Sequence, residues 1–176
     1  MKEITLQDLD KAIRNVPDFP KPGILFKDIT TALKREDIFQ FINDSLYNEY
    51  RDKKITRVVG IESRGFIAGS VLAYRLGAGF VPIRKPGKLP AETFRKTYTL
   101  EYGEGELEIH RDALQEGDVV LLHDDLLATG GSASAAIELI RNFGVKKIYT
   151  SFIIELLFLE GRKRLADQEV FSLLKI

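Results

Sequence analysis

The sequence predicts an α/β fold in which a mainly parallel, twisted sheet is covered by helices on both faces. Apolar runs of strand length alternate with segments of helical periodicity, the pattern of β-α-β units. Glycine-containing polar turns follow two of these runs directly, at Glu62–Gly65 and Asp124–Ser132. Ligands of parallel sheets bind beyond the C-terminal ends of the strands, so these two turns are the first candidates for a functional site.

The elements follow in order along the chain. Apolar residues at three- and four-residue spacing predict helices at Leu6–Val16, Ile38–Tyr50, Phe66–Leu76 and Ser134–Phe143, with Gly144 ending the last. Short apolar runs rich in β-branched residues predict strands at Arg57–Ile61, Phe80–Ile83, Val119–His123 and Lys147–Ile154. The first 35 residues or so lie outside this alternation.

Composition limits the classes of function. A chain of 176 residues is suited to a single domain with a substantial core. Lysine and arginine total 26, as do aspartate and glutamate, so no bulk positive charge favours nucleic acid. The absence of cysteine excludes disulfides and thiolate chemistry. The amphipathic N-terminus is unlike a signal peptide and no apolar run is long enough for a bilayer, so we expect a cytoplasmic protein without a membrane partner.

The segment from Val119 to Ser132 carries the strongest functional signal. An apolar strand is followed by two adjacent carboxylates, Asp124 and Asp125, and then by a turn of small residues, namely Ala128, Thr129, Gly130, Gly131 and Ser132. Turn amides and a helix N-terminus bind phosphate, whereas adjacent carboxylates accept hydrogen bonds from sugar hydroxyls. The segment therefore indicates a ribose 5-phosphate site. No Walker motif and no G-x-G-x-x-G occurs. The alternative is an acidic pair that caps a turn closed by glycines.

The string DDLLATGGS resembles the 5-phosphoribosyl 1-pyrophosphate (PRPP) motif of the type I phosphoribosyltransferases. Its residues LLATGG are similar to the form of this motif in the adenine phosphoribosyltransferase family. Five further blocks resemble that family in the same order: Phe19–Thr30, Gly60–Phe66, Val81–Pro90, Leu100–His110 and Phe171–Leu174. The resemblance implies one domain over residues 1–176 with the type I fold, in which residues 1–35 form a hood over the base. It also implies transfer of the phosphoribosyl group from PRPP to N9 of adenine, which gives AMP and pyrophosphate.

The turn Glu62-Ser63-Arg64-Gly65 repeats the strand–turn–helix arrangement. A serine hydroxyl, an arginine fork and turn amides suit a pyrophosphate. By resemblance this turn is the pyrophosphate loop, often with a cis peptide bond that does not involve proline. The alternative is an ordinary turn with a surface salt bridge.

Arg84, Lys85 and Lys88 lie in one stiff connection rich in proline and glycine. Such a segment is either a solvated loop or a source of positive charge for a leaving pyrophosphate. Resemblance assigns the second role to Arg84 and Lys88. It also implies a homodimer and a Mg²⁺ ion carried with PRPP or pyrophosphate, since the sequence shows no dedicated metal cage.

Two further segments take their roles from the resemblance. Leu25, Phe26 and Lys27 are implied to bind adenine, with Phe26 against the ring; the alternative for Phe26 is a plain core position. Glu101 and Tyr102 are implied to belong to a mobile lid over Glu101–Gly105, where Glu101 exchanges a proton with the purine. Glu101, Arg64 and Asp124 are thus the expected catalytic residues.

Two residues depart from the family pattern, and two rival functions remain. Ser132 stands where threonine is usual, and His123 stands where an aliphatic residue is usual. His123 is either a satisfied strand-end histidine or a group that tunes the neighbouring carboxylates. One rival is a phosphoribosyltransferase for hypoxanthine, guanine or xanthine. The other is a PRPP-sensing regulator that binds nucleic acid, for which the sequence shows neither a basic face nor an added DNA-binding segment.

Overall fold

The computed structural model describes residues 3–100 and 103–176. Its helices are α1 (Leu6–Ala12), α2 (Thr30–Leu33), α3 (Glu36–Tyr50), α4 (Gly65–Leu76) and α5 (Gly131–Arg141). Its strands are β1 (Arg14–Pro17), β2 (Leu25–Asp28), β3 (Arg57–Ile61), β4 (Gly79–Ile83), β5 (Thr93–Leu100), β6 (Gly103–His110), β7 (Val119–Leu127), β8 (Lys147–Glu155) and β9 (Glu169–Lys175). Two short 3₁₀ segments, Leu157–Leu159 and Gly161–Leu165, connect β8 to β9.

The centre of the fold is a five-stranded sheet in the order β4-β3-β7-β8-β9, with every neighbouring pair parallel. Side chains alternate between the faces, so Val58 and Leu121 join one core whereas Val59 and Leu122 join the other. Helices α1 to α4 pack on the first face, and α5 with the β5–β6 hairpin packs on the second. The predicted parallel sheet with both faces covered is confirmed.

The N-terminal region forms a small hairpin rather than one long helix. The helix prediction for Leu6–Val16 is correct only to Ala12, because Arg14–Pro17 pair antiparallel with Leu25–Asp28 as β1 and β2. The side chain of Arg14 donates to Asp28 across this pair, with 3.0 Å between Nε and Oδ2. This pairing joins residues 8 to 14 positions apart, and it outweighs the local helical periodicity.

Four further differences from the sequence predictions concern the ends of elements. Strand β7 continues through the two aspartates to Leu127, since its neighbour β8 continues to Glu155 and provides hydrogen-bonding partners. Helix α5 begins at Gly131 rather than Ser134, and α4 begins one residue early at Gly65. Gly103–Gly105, predicted as part of a loop, belong to β6, which pairs with β5 along its whole length.

Strand β9 was not predicted, although it pairs along β8 and completes the sheet. Among the helices of the described residues, none combines the length and the apolar character that crossing a bilayer requires.

Candidate active site

The acidic pair lies at the C-terminal end of β7. Asp125 is buried, and its Oδ2 accepts a hydrogen bond from Nε of Arg64 at 2.5 Å. The amide of Asp125 donates to Oδ1 of Asp124 at 2.9 Å. Burial, together with the charge of Asp125, raises the pKa of Asp124 well above its usual range. Two carboxylates so close together favour a ligand that donates hydrogen bonds to them, as the hydroxyls of a sugar do.

The turn after β7 is shaped by close backbone contacts. Gly130 has a φ of 79° and precedes α5, and a Cβ at this position would lie 2.5 Å from the carbonyl oxygen of Gly161. A Cβ at Gly131 would lie 2.9 Å from the carbonyl oxygen of Thr99. Glycine is therefore required at both positions for the surrounding backbone to approach so closely.

The start of α5 is open to an anion. None of the described side chains caps this helix, which runs for 11 residues. The first amides of a helix have no carbonyl partner within it, and the helix dipole adds partial positive charge there. Gly130, Gly131 and Ser132 thus surround a favourable place for a phosphate group.

The turn after β3 packs directly against the acidic strand. A Cβ at Gly65 would lie 2.8 Å from the carbonyl oxygen of His123 and 3.0 Å from Oδ1 of Asp124, so only glycine allows this approach. The peptide bond between Glu62 and Ser63 is cis, as the resemblance implied. Between the two turns lies a polar cavity of about 240 Å³, lined by Glu62, Ser63, Arg64, Lys85, Asp124 and Asp125.

Glu62 contacts the basic segment that follows β4, which consists of Arg84–Lys88. Its carboxylate pairs with the ammonium of Lys88, accepts from Nε of Arg84 at 3.2 Å and accepts from the amide of Lys85 at 3.0 Å. Burial opposes ionisation of Glu62, but these hydrogen bonds outweigh it and lower its pKa to about 2. The side chain of Glu62 thus holds Arg84 and Lys88 together through these contacts. Binding of pyrophosphate at Glu62 stays a prediction.

A second, apolar cavity of about 440 Å³ lies beside the polar one, under the N-terminal hairpin. One wall consists of Leu25, Phe26 and Lys27 with the turn before them, and the opposite wall includes Ala128 and Thr129 of the turn after β7. The ring of Phe26 is half-buried, 5.1 Å from the ring of Phe19 and 5.6 Å from the guanidinium carbon of Arg64. The alternative of a plain core position for Phe26 is wrong, because the ring faces this cavity.

Arg64 connects the two cavities. It pairs with Asp125 on the polar side and lies over the ring of Phe26 on the apolar side. Arg84 and Lys88 are instead held together by Glu62. Arg64 thus has a different carboxylate partner from the other two residues predicted to bind pyrophosphate, although it lines the polar cavity together with Glu62 and Lys85.

His123 lies in the strand immediately before the acidic pair and is fully buried. Its Nδ1 is 3.2 Å from the hydroxyl oxygen of Ser151, while Nε2 has no partner among the described residues. Burial lowers the pKa of His123 to about 4. A neutral imidazole adds no charge beside Asp124 near neutral pH, so the structure favours a structural role for His123.

Ten of the predicted site residues line the two cavities: Leu25, Phe26, Lys27, Ala128 and Thr129 the apolar one, and Glu62, Ser63, Arg64, Asp124 and Asp125 the polar one. Arg84 and Lys88 reach the site through Glu62, and Gly130, Gly131 and Ser132 lie at the start of α5. Glu101 and Tyr102, the predicted lid residues, lie outside the described residues. Sequence reasoning missed Leu156 and Leu159, which line the apolar cavity. It also missed Gly161, which packs against the turn Ala128–Ser132, named here the phosphate turn after its predicted ligand. No local pattern marks these residues, because only the return of the chain after β8 brings them to the site.

The amino-acid sequence of this chain is similar to that of known proteins. Residues 29–174 match the model of the phosphoribosyl transferase domain family. The adenine phosphoribosyltransferase of Bacteroides fragilis is 59% identical over 165 residues, which cover 93% of each chain.

Solved structures agree in fold. The adenine phosphoribosyltransferase of Thermoanaerobacter pseudethanolicus superposes with a TM-score of 0.94 at 48% identity, over 98% of this chain and 100% of that one. The enzyme of Giardia lamblia, solved in complex with 9-deazaadenine, gives a TM-score of 0.94 at 41% identity over 99% of each chain. The five-stranded sheet and its covering layers are those of the type I phosphoribosyltransferase fold.

Proposed function

The chain belongs to the adenine phosphoribosyltransferase family, and from that premise we propose how its own residues carry out the reaction. PRPP and adenine give AMP and pyrophosphate, a step of purine salvage. One observation supports the roles that we assign to the residues of the site. A polar cavity lined by Arg64, Asp124 and Asp125 adjoins an apolar cavity lined by Phe26, and both lie at the end of β7.

The ribose 5-phosphate of PRPP binds along the end of β7. Asp124 and Asp125 accept hydrogen bonds from the ribose hydroxyls, and these donors offset the burial of negative charge at the pair. The 5-phosphate binds the turn from Ala128 to Ser132, where the amides at the start of α5 point outward. Gly130 and Gly131 serve this role through their backbone, because a side chain at either would collide with the neighbouring chain.

The pyrophosphate of PRPP binds at the turn Glu62–Gly65 and the basic segment. Arg84 and Lys88 supply positive charge, Ser63 supplies its hydroxyl and its backbone amide, and Glu62 holds the two cations in place. Among the described residues no cluster of three or more histidines, aspartates or glutamates has the arrangement of a metal cage. Mg²⁺ fits instead as part of the substrate, bound by oxygens of PRPP, and it would neutralise charge on the leaving group.

Adenine binds in the apolar cavity, with its ring against Phe26 and its edge toward the backbone of Leu25 and Lys27. The bond from N9 to C1 forms while the bond from C1 to the pyrophosphate oxygen breaks, and its electron pair leaves with pyrophosphate. The transition state is oxocarbenium-like, as in glycoside cleavage. Asp124 stabilises the positive charge that develops on the sugar, and Arg64, Arg84 and Lys88 stabilise the charge on the leaving group.

Glu101 accepts the proton that the purine loses, and Tyr102 helps to cover the site. Both residues are carried by the connection between β5 and β6, whose strands end beside the phosphate turn. Closure of this segment excludes water from the developing cation.

A second copy of the chain completes the assembly as a homodimer. Helix α4 starts at the end of the turn Glu62–Gly65 and exposes Ile67 and Tyr74, the latter 88% exposed. An aromatic side chain left this open on a helix next to the site is suited to contact with a partner subunit.

The decisive experiment incubates the protein with PRPP, Mg²⁺ and each of adenine, hypoxanthine, guanine and xanthine, while nucleotide formation is followed by chromatography. We expect AMP from adenine and much slower turnover with the other three bases. Preferred use of hypoxanthine or guanine would contradict the assignment of the apolar cavity. DNA binding in a gel-shift assay without any PRPP-dependent turnover would favour the regulator instead.

A Glu101→Gln variant tests the proton-transfer role. General acid–base groups contribute about 10²- to 10⁴-fold, so kcat should fall by that order while the Kd for PRPP changes little. Glu104→Gln, an exposed neighbour in β6, is the matched control and should retain activity. Equal kcat values for the wild type and Glu101→Gln would remove Glu101 from the mechanism.

A further inference from the structure

Glu108 is a buried carboxylate to which neither the sequence nor the proposed mechanism assigns a role. It lies in β6 with its side chain 1% exposed, between the buried residues Leu107 and Ile109. Burying a carboxylate costs several kcal/mol unless partners compensate for the loss of water. A residue with this cost, on a strand that leads away from the predicted lid, calls for a reason beyond packing.

The partners of Glu108 come from two different segments. Its Oε1 lies 2.7 Å from Nε of Arg95, the residue opposite it on β5. Its Oε2 accepts a hydrogen bond from the amide of Gly87 at 3.2 Å. Gly87 has a φ of 76°, so it forms the left-handed bend within the basic segment Arg84–Lys88.

The backbone of Glu108 holds the same segment. Its amide donates to the carbonyl of Arg84 at 2.8 Å, and the amide of Arg84 donates back to the carbonyl of Glu108 at 3.0 Å. Arg84 thus forms an isolated antiparallel bridge with β6. The basic segment is fixed to β6 at Arg84 by backbone hydrogen bonds and at Gly87 by the Glu108 side chain.

Glu62 and Glu108 therefore hold the basic segment from two sides. Glu62 binds the charged ends of Arg84 and Lys88, whereas Glu108 binds the backbone between them. Arg84 also donates from Nη1 to the carbonyl of Lys88 at 3.3 Å, which closes the bend on itself. With Gly87 anchored, the Lys88 side chain points toward Glu62 and the polar cavity.

We propose that Glu108 is a positioning residue that fixes the bend at Gly87 and thereby holds Arg84 and Lys88 where the pyrophosphate group of PRPP binds. This inference rests on the proposed function, because it concerns the leaving-group end of that site. Positioning of this kind affects pyrophosphate and PRPP. It does not affect AMP, which carries only the 5-phosphate bound at the other turn.

The test compares Glu108→Gln and Glu108→Ala with the wild type. Steady-state assays give the KM for PRPP and adenine in the forward direction and for pyrophosphate in the reverse direction, and calorimetry gives the Kd for AMP. Loss of a hydrogen bond to a charged group should raise the KM for PRPP and for pyrophosphate about tenfold in Glu108→Ala. The Kd for AMP and the KM for adenine should stay within about twofold of the wild type.

The matched control is Glu138→Gln. Glu138 pairs with Lys96 on the same hairpin but lies on α5, away from the basic segment, so its loss should leave all four constants unchanged. Arg95→Gln adds a variant at a side chain that is 60% exposed and therefore easily replaced. It should shift the KM for pyrophosphate in the same direction by about twofold to threefold, as expected for an ion pair with one exposed partner.

The outcomes are distinguishable. An unchanged KM for pyrophosphate in a folded Glu108→Ala protein would overturn the positioning role, as would equal losses of AMP and pyrophosphate affinity. If Glu108→Ala fails to fold, Glu108→Gln and Arg95→Gln decide, and an unchanged KM for pyrophosphate in both overturns the role. Absence of any PRPP-dependent turnover in the wild type would instead refute the proposed function itself.

Discussion

Buried polar side chains near the end of β7 differ in the partners that compensate for their loss of hydration. Asp125 is paired with Arg64, and Glu62 is paired with two cations and an amide. Among the described residues no cation forms an ion pair with Asp124, and burial together with the charge of Asp125 raises its pKa. The pKa of His123 is lowered because the ring is fully buried, with the Ser151 hydroxyl beside Nδ1. The pKa values of Glu62, Asp124 and His123 thus follow the partners that each side chain has in the fold.

The burial of His123 makes stability depend on pH. Its pKa is about 4 in the folded protein and about 6.5 in the unfolded chain, so the unfolded state binds more protons between these values. The contribution of a neutral His123 is therefore fully present above pH 6.5 and is lost as the pH falls toward 4. The shift corresponds to about 3 kcal/mol.

This prediction is tested with His123→Leu by urea unfolding between pH 4 and 7.5. The carboxylates titrate in both proteins, so the difference between their unfolding free energies isolates the histidine. The wild type should lose about 3 kcal/mol relative to the variant on going from pH 7 to pH 4. Parallel curves across this range would show that the imidazole is not excluded from protonation in the fold.

At the scale of elements, the phosphate turn is supported from two sides. The 3₁₀ segment that begins at Gly161 packs against Ala128 and Gly130, and the end of β5 packs against Gly131. Gly105 leaves room for the ring of Tyr98, since a Cβ there would lie 2.5 Å from that ring's Cζ. Gly105, Gly130, Gly131 and Gly161 therefore allow one compact arrangement around the start of α5. The shape of the phosphate turn thus depends on segments distant in sequence.

A Gly161→Ala substitution should disturb the phosphate turn from behind. The added Cβ would lie 2.0 Å from the carbonyl oxygen of Ala128, so the turn or the 3₁₀ segment must move. Overpacking of this kind costs about 1–3 kcal/mol. We expect a lower Tm and, because the phosphate turn shifts, a Kd for AMP raised about tenfold in calorimetry.

Gly117→Ala is the control for that substitution. Gly117 has a φ of 88° with no atom within 4 Å of the added Cβ, and it lies before β7 at the opposite end of the strand. Its substitution should cost about 1–2 kcal/mol of backbone strain and leave the Kd for AMP unchanged. Equal AMP affinity in Gly161→Ala and the wild type would contradict the supporting role of the 3₁₀ segment.

On the scale of the whole molecule, the site is the edge where parallel strands end. The turns after β3 and β7 meet there because these strands are neighbours in the sheet. The hairpin β1–β2 lies over the same edge from one side, and the hairpin β5–β6 approaches it from the other. Helix α4 runs from this edge with its outer face uncovered, which leaves a place for a second copy of the chain.

The proposed homodimer is tested with Tyr74→Glu. Because Tyr74 is 88% exposed, the substitution should leave the protomer's Tm unchanged but introduce charge at the contact with the partner. Light scattering after size exclusion should give the mass of a dimer for the wild type and of a monomer for the variant. Leu6→Glu, on the exposed side of α1, is the control and should remain dimeric. A monomeric wild type would refute the proposed assembly.

Elements with local sequence signals were predictable without the fold. Apolar periodicity gave β3, β7, β8 and most of the helices, and the order of residues around Asp124 gave the chemistry of a sugar phosphate. It also predicted that two strand ends would share an edge, since parallel strands must end on the same side. The motif strings supplied the resemblance to the family.

Features that depend on contacts between distant segments required the folded structure. It made Arg14–Pro17 a strand, extended β7 through the aspartates, and placed Gly161 behind the phosphate turn. It also joined Glu108 to Gly87, and it paired Arg64 with Asp125 but Arg84 and Lys88 with Glu62. The physical reason is the same throughout. Strand pairing, close backbone approach and compensation of buried charge are properties of pairs of residues, and the identity of the second member is fixed by the fold.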